Sequence, residues 1–169
     1  MLIANFFGVI MNNQTAIKTV SLLIEKNYKI TFAESCTGGL AAATLVAVPD
    51  ASKVFDGSFV TYAEELKTNL VGVPSETIEK YGVVSEEVAH AMAKGCAKTL
   101  GTEVGVGITG FAGPTGGTPD TPVGTVCFGF YVNGKVDTFT CHFGNIGRNE
   151  VREKAVDFVY EKLSSGLLL

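Results

Sequence analysis

The period of the hydrophobic positions changes several times along the chain, and each change marks an element. Asn12 and Asn13 are good helix N-caps; after them Ala16, Val20, Leu23 and Ile24 recur at helical spacing and predict a helix to about Lys26. Residues 28–33 are aromatic and β-branched and predict a strand, and the small run 40–46 suits a helix that Pro49 ends. A second strand is expected over 57–62, then a helical turn or two over 64–70 and a short helix from Pro74-Ser75 to near Gly82. Ser85 caps a longer helix with Val88, Ala89, Met92, Ala93, Cys96 and Leu100 inward, spaced by threes and fours, and Gly101 stops it. Residues 103–109 read as a buried strand, followed by a Gly/Pro/Thr loop over 110–122. Segments 123–132 and 135–143 form a hairpin turned at Asn133-Gly134, residue types that accept positive φ. The last helix is expected over 148–163, with Val151, Ala155, Phe158, Val159 and Leu163 inward. Helices alternate with strands early and an antiparallel hairpin comes late, which implies a mixed sheet with helices on both faces.

Composition narrows this picture. A chain of 169 residues fits one domain, and 46% hydrophobic against 18% charged residues supplies a sizeable core. Its body is expected over about 13–163, with an apolar arm over 1–12 and a loose tail over 164–169. The arm is too short for a bilayer span, which takes roughly 20 residues, and no basic residue precedes it as in a signal peptide. A net charge of −4 with 13 Lys plus Arg argues against nucleic acid or an anionic membrane as partner, while leaving room for a local site for one phosphate. Cys36, Cys96, Cys127 and Cys141 form no CxxC pair and no Cys/His cluster of zinc spacing, so reduced, mostly buried thiols in a cytoplasmic protein are expected, with no metal.

Four stretches offer chemistry. The first, Ala33-Glu34-Ser35-Cys36-Thr37-Gly38-Gly39, joins a strand to a helix, where open α/β sheets bind ligands and a helix start offers free N–H groups. A hydroxyl or thiol there suits a nucleophile, yet Ser35 and Thr37 suit simple capping equally well. The second runs from Phe59 through Tyr62 to Lys67 and brings a phenol and an amine to one strand end. Buried, such a lysine can act as a base; otherwise it is a solvated surface residue. The third spans 107–117, with five glycines in eleven residues. It can turn N–H groups toward a phosphate, but it lacks the Walker GK[ST] and the GxGxxG fingerprint. The fourth is Gly147-Arg148 with Arg152 one helical turn on, able to face one anion or to pair with neighbouring acids.

The order of these motifs carries a resemblance. AESCTGG, then GSFVTY with a lysine five residues on, then GITGFAGPTGG, PVGTV and a closing GR…VR are similar to the CinA C-terminal domain family from about Ala16 to Leu163. The resemblance implies a three-layer α/β/α sandwich with a mixed, mostly parallel sheet, in the stand-alone form of the domain. It implies an amidohydrolase that converts nicotinamide mononucleotide and water into nicotinate mononucleotide and ammonia, without metal or organic cofactor. Carried over by position, Ser35 is the nucleophile, Lys67 its base, and Tyr62 a hydrogen-bond partner or proton shuttle. N–H groups of Cys36, Thr37, Gly38 and Gly39 are expected at the oxyanion. Glu34, Thr109, Gly110, Ala112, Gly113, Gly116, Gly117 and Arg148 are expected at the substrate. The sequence departs from the family at Ala63-Glu64, where Ser-Asn is usual, and at Thr115 and Gly147, where Asp is common. Two other functions stay open: a cysteine amidase using Cys36 with His90 or His142, and a module that binds a nucleotide without hydrolysing it. A homo-oligomer, a dimer first, is expected from the apolar arm and the leucine-rich end.

Overall fold

The computed structural model describes residues 14–168. The apolar arm and the Asn12-Asn13 caps lie outside the described residues. Helix α1 (Gln14–Lys26) leads into strand β1 (Ile30–Glu34) and helix α2 (Leu40–Val46). A short 3-10 turn (Ala51–Lys53) and strand β2 (Phe59–Val60) follow. Three helices come next, α3 (Glu64–Val71), α4 (Ser75–Tyr81) and α5 (Glu86–Leu100). Strands β3 (Val104–Gly110), β4 (Thr125–Val132) and β5 (Lys135–His142) precede helix α6 (Arg148–Lys162).

The five strands lie in the order β2-β1-β3-β4-β5. Strand β1 pairs in parallel with both β2 and β3; β4 pairs antiparallel with β3 and β5. Among the described strands four therefore share one direction and β4 runs against them; two ladders are parallel and two antiparallel, so the sheet is mixed, with its parallel part at β2-β1-β3. Side-chain alternation sorts its two faces. Ile30, Phe32, Val104, Val106, Ile108, Val126, Phe128 and Phe130 join α1, α2 and α6 in the larger core. Phe158 of α6 packs 4.6 Å from the ring of Phe128. On the other face Ala33 joins Val71, Val88, Met92 and Cys96 of α3 and α5. The result is a three-layer α/β/α sandwich.

Helix α5 lies unusually close to the sheet because the floor beneath it is glycine. A Cβ on Gly105 would stand 2.8 Å from the Ala97 Cβ, and one on Gly107 would stand 2.7 Å from the Ala93 nitrogen. Val104, Val106 and Ile108 fill the opposite face, so β3 is flat toward α5 and bulky toward α6.

Most predicted elements are found, and the differences have physical causes. The strand expected over 57–62 is only two residues long, because β2 is an edge strand with a single neighbour, and Val60 and Tyr62 point to solvent. Leu100, the last residue of α5 before Gly101, is 39% exposed instead of inward. Phe158 is half-buried. The tail expected to be loose continues α6 as a π-helical turn (Leu163–Leu167), with Leu163, Ser164 and Leu168 buried against the larger core. Leu163 and Leu168 supply the apolar surface of this turn. Cys36, Cys96 and Cys127 are buried, Cys141 is half-buried, and all four are free thiols. Among the described residues no helix is long and apolar enough to cross a membrane.

Candidate active site

The carboxyl ends of the three parallel strands converge. Thr61 N–H donates to Glu34 O (2.8 Å), and Ser35 N–H donates to Ile108 O (2.9 Å). These bonds extend the ladders one residue beyond β1 and set Ser35 between the ends of β2 and β3. The connection through α2 leaves β1 on one face of the sheet, while α3, α4 and α5 cover the other, so a crevice opens between β1 and β3.

Beyond Ser35 the backbone turns through Gly38 (φ 60°) and Gly39 (φ 93°), a pair of left-handed residues that glycine accepts without strain. Glu34 holds the turn. Its side chain is fully buried, and its carboxylate accepts N–H bonds from Gly39 (3.0 Å), Ala41 (3.0 Å) and Ala42 (2.9 Å). Glu34 is therefore the cap of α2, not a substrate contact as expected, because three backbone donors occupy both its oxygens. The same bonds correct the expected oxyanion set. Gly39 N–H is spent on Glu34, and Gly38 N–H donates to Ser35 O (3.1 Å). Thr37 is fully buried, its carbonyl accepts from Arg152 Nη2 (3.0 Å), and its side chain does not line the crevice. Of that set only Cys36 lines the cavity, and its N–H remains as the candidate.

Lys67 arrives from the second turn of α3. It is 1% exposed, a rare state for a lysine. Its Nζ donates to Thr61 O at 2.8 Å and lies 3.2 Å from Ser35 Oγ. Burial lowers its pKa from the ordinary 10.5; Glu64 and Cys36 act in the opposite, raising direction. An amine held against a serine hydroxyl and biased toward its neutral form has the geometry of a nucleophile and its base.

These groups open onto a cavity of about 220 Å³. Ser35, Cys36 and Lys67 line one part of it, and Val83 and Val84 form an apolar wall. Thr109, Gly110, Phe111, Ala112, Gly113 and Thr115 bring in the end of β3 and the loop after it. Tyr62, Glu64 and Arg148 complete the lining. Thr109 Oγ1 donates to Val83 O (2.8 Å), tying β3 to the apolar wall. Arg148 Nη1 donates to Gly113 O (2.9 Å) and its Nη2 to the Tyr62 hydroxyl (2.8 Å), so the arginine spans from the loop to the β2 end. Tyr62 is 58% exposed and its hydroxyl meets Arg148, not Lys67.

Gly116 and Gly117, expected at the substrate, do not line the cavity: the loop folds back so that Gly116 faces the Phe111 ring and Gly117 abuts Val123. Arg152 leaves the cavity to Arg148 and binds the backbone of the Ser35 loop instead. The cysteine alternative loses its support. Burial pushes the Cys36 thiol up to about 12, and neither His90 nor His142 lines the cavity. Val83, Val84 and the Thr61 carbonyl were absent from the sequence reading. Backbone acceptors and apolar walls leave no motif to find. Among the described residues no group of three or more His, Cys, Asp or Glu is placed to hold a metal ion.

Fold and site define an α/β/α protein with a buried serine–lysine pair at the carboxyl ends of its parallel strands. Comparison with known proteins agrees in sequence and in shape. Residues 12–167 match the CinA C-terminal domain. A CinA-like protein of Kosmotoga olearia is 47% identical over 149 residues, covering 88% of this chain and 36% of the relative. The chain thus spans little more than a third of that protein's length. The crystal structure of a competence/damage inducible protein from Agrobacterium tumefaciens superposes with a TM-score of 0.85 at 35% identity, covering 89% of this chain and 92% of the other. A competence or damage-inducible protein from Enterobacter asburiae gives a TM-score of 0.88 at 33% identity, covering 93% and 98%. The chain belongs to the CinA C-terminal domain family.

Proposed function

We propose that this chain is a serine amidohydrolase that deamidates nicotinamide mononucleotide to nicotinate mononucleotide and ammonia. The observation that carries the reading is the 3.2 Å approach of Lys67 Nζ to Ser35 Oγ inside a small crevice, with the amine desolvated. Neutral Lys67 takes the hydroxyl proton as Ser35 Oγ attacks the carboxamide carbon. The Cys36 N–H, at the cavity wall, steadies the oxyanion. Collapse breaks the C–N bond, and the proton passes from Lys67 to the departing nitrogen, which leaves as ammonia. Water then attacks the ester, Lys67 accepts its proton, and the C–O bond breaks with return of that proton to Ser35. Arg148 is the cation available to the phosphate, and the Thr109–Gly113 stretch lines the nucleotide. The pyridinium ring already withdraws electrons from the amide carbonyl, which suits a modest nucleophile.

The test is ammonia release from nicotinamide mononucleotide by wild type, Ser35→Ala and Cys36→Ala. Wild type and Cys36→Ala are expected to turn over, and Ser35→Ala to lose at least about a hundredfold in kcat. Full activity in Ser35→Ala defeats the serine mechanism. Tight binding by wild type without ammonia release would select the non-hydrolysing alternative.

A further inference from the structure

The cavity holds charged side chains of both signs on different elements. Glu64 and Lys67 both project from α3, three residues apart and hence on one face of the helix, and both line the cavity. Arg148 enters from the start of α6, on the side of the Gly113 carbonyl. Once Lys67 is neutral, as a base must be, the fixed charges are one anion beside the reacting pair and one cation that spans from the loop to the Tyr62 hydroxyl. A carboxylate in this position penalises a simple anionic ligand and favours one that carries its own positive charge close to the amide. From this juxtaposition we infer that Glu64 is a specificity-determining residue, which selects amides borne on a cationic ring and pairs that ring while Arg148 takes the anionic end of the same molecule.

The inference rests on the amidohydrolase reading and adds to it a reason for the acid. It also separates two roles that Glu64 could have. If Glu64 served only to adjust Lys67, its loss would affect every amide alike. If it reads ring charge, its loss affects cationic rings alone.

The experiment compares two substrates that share phosphate, ribose and carboxamide. One is nicotinamide mononucleotide; the other is benzamide C-riboside 5′-monophosphate, in which carbon replaces the charged ring nitrogen. Ammonia release is measured for wild type and Glu64→Gln, and each variant-to-wild-type ratio of kcat/KM is taken, so that intrinsic differences in amide reactivity cancel. Glu64→Gln is expected to lower kcat/KM about fivefold on the cationic substrate, mainly through KM, the size of one partly solvated charge pair, and to leave or raise it on the neutral one. Equal ratios for the two substrates overturn the inference while leaving the amidohydrolase reading intact. Absence of ammonia from wild type overturns that reading instead. The inference is then decided by calorimetric binding of the same two compounds to Ser35→Ala with and without Glu64→Gln. A preference for the cationic ring that Glu64→Gln removes supports it; a preference that persists, equal affinities, or binding of neither compound overturns it.

Discussion

Replacing Glu34 by glutamine probes the element that fixes the nucleophile. Oε2 serves the N–H groups of Gly39 and Ala41, and Oε1 serves Ala42. In its better orientation the glutamine oxygen keeps the first two bonds and turns its NH2 group toward Ala42 N–H, donor against donor. The orphaned buried donor costs about 1–3 kcal/mol, and two bonds that fall from charge-assisted to neutral lose roughly 0.5–1 kcal/mol each. The charge also loses its favourable place at the start of α2, about 0.5 kcal/mol. A neutral amide is cheaper to bury than a carboxylate, which offsets part of the sum. The net expectation is a loss of about 2 kcal/mol, a large fraction of a typical 5–15 kcal/mol. Urea unfolding followed by circular dichroism reads this as a midpoint about 1 M lower with an unchanged slope. The exposed Glu161→Gln on α6 serves as control and stays within about 0.5 kcal/mol of wild type. A Glu34→Gln midpoint within about 0.2 M of wild type would mean that the three bonds do not secure the Ser35 loop.

Lys67 and Gly107 carry three further expectations. Because burial depresses the Lys67 pKa, kcat/KM should rise with pH through an acid limb that lies below the ordinary lysine value of 10.5. The same shift sets a stability slope: between the folded-state pKa and 10.5 the unfolded chain binds the extra proton, so stability climbs with pH across that window. Lys67→Met should remove both the turnover and that slope in urea midpoints taken across alkaline pH; a slope that persists places its origin elsewhere. Gly107→Ala would drive a methyl group to 2.7 Å from the Ala93 nitrogen and should cost about 2 kcal/mol or more by urea unfolding. A wild-type midpoint there would show that α5 can lift off β3 without penalty.

What the sequence revealed divides along physical lines. Periodicity located α5, which buries one face, and a continuous apolar run located β3, which is buried on both, while Asn133 (φ 46°) with Gly134 (φ 93°) forms the expected β4–β5 turn. It overextended β2, since an edge strand keeps its β-branched composition after its ladder has ended. The candidate site was legible as stretches, but the meeting of Ser35 and Lys67 followed only from the family resemblance and not from spacing, because 32 residues separate them and the parallel β1–β2 pairing brings them together. The carry-over from the family misplaced Glu34. An acid beside a candidate nucleophile looks chemical, and its true partners are three backbone N–H groups that no residue type announces.

That misreading exposes how the site keeps its base usable. A buried carboxylate beside Lys67 would pair with the amine and hold it protonated. Glu34 is one residue from Ser35, close enough in sequence to do this harm. Strand alternation prevents it: Glu34 shares the face of Ile30 and Phe32, where α2 waits with its N–H groups, and among the charges acting on Lys67 only Glu64 and Cys36 figure. The negative charge is spent on the helix start, on the far side of the sheet from the amine. Glu64, the acid that does act on Lys67, is exposed at the first turn of α3, where water weakens its hold. Moving an acid to the other face of β1, as in Ala33→Glu, should therefore abolish turnover more completely than its steric cost alone. Ala33→Gln, of nearly equal size, is the control, and equal residual activity in the two variants would refute the charge argument.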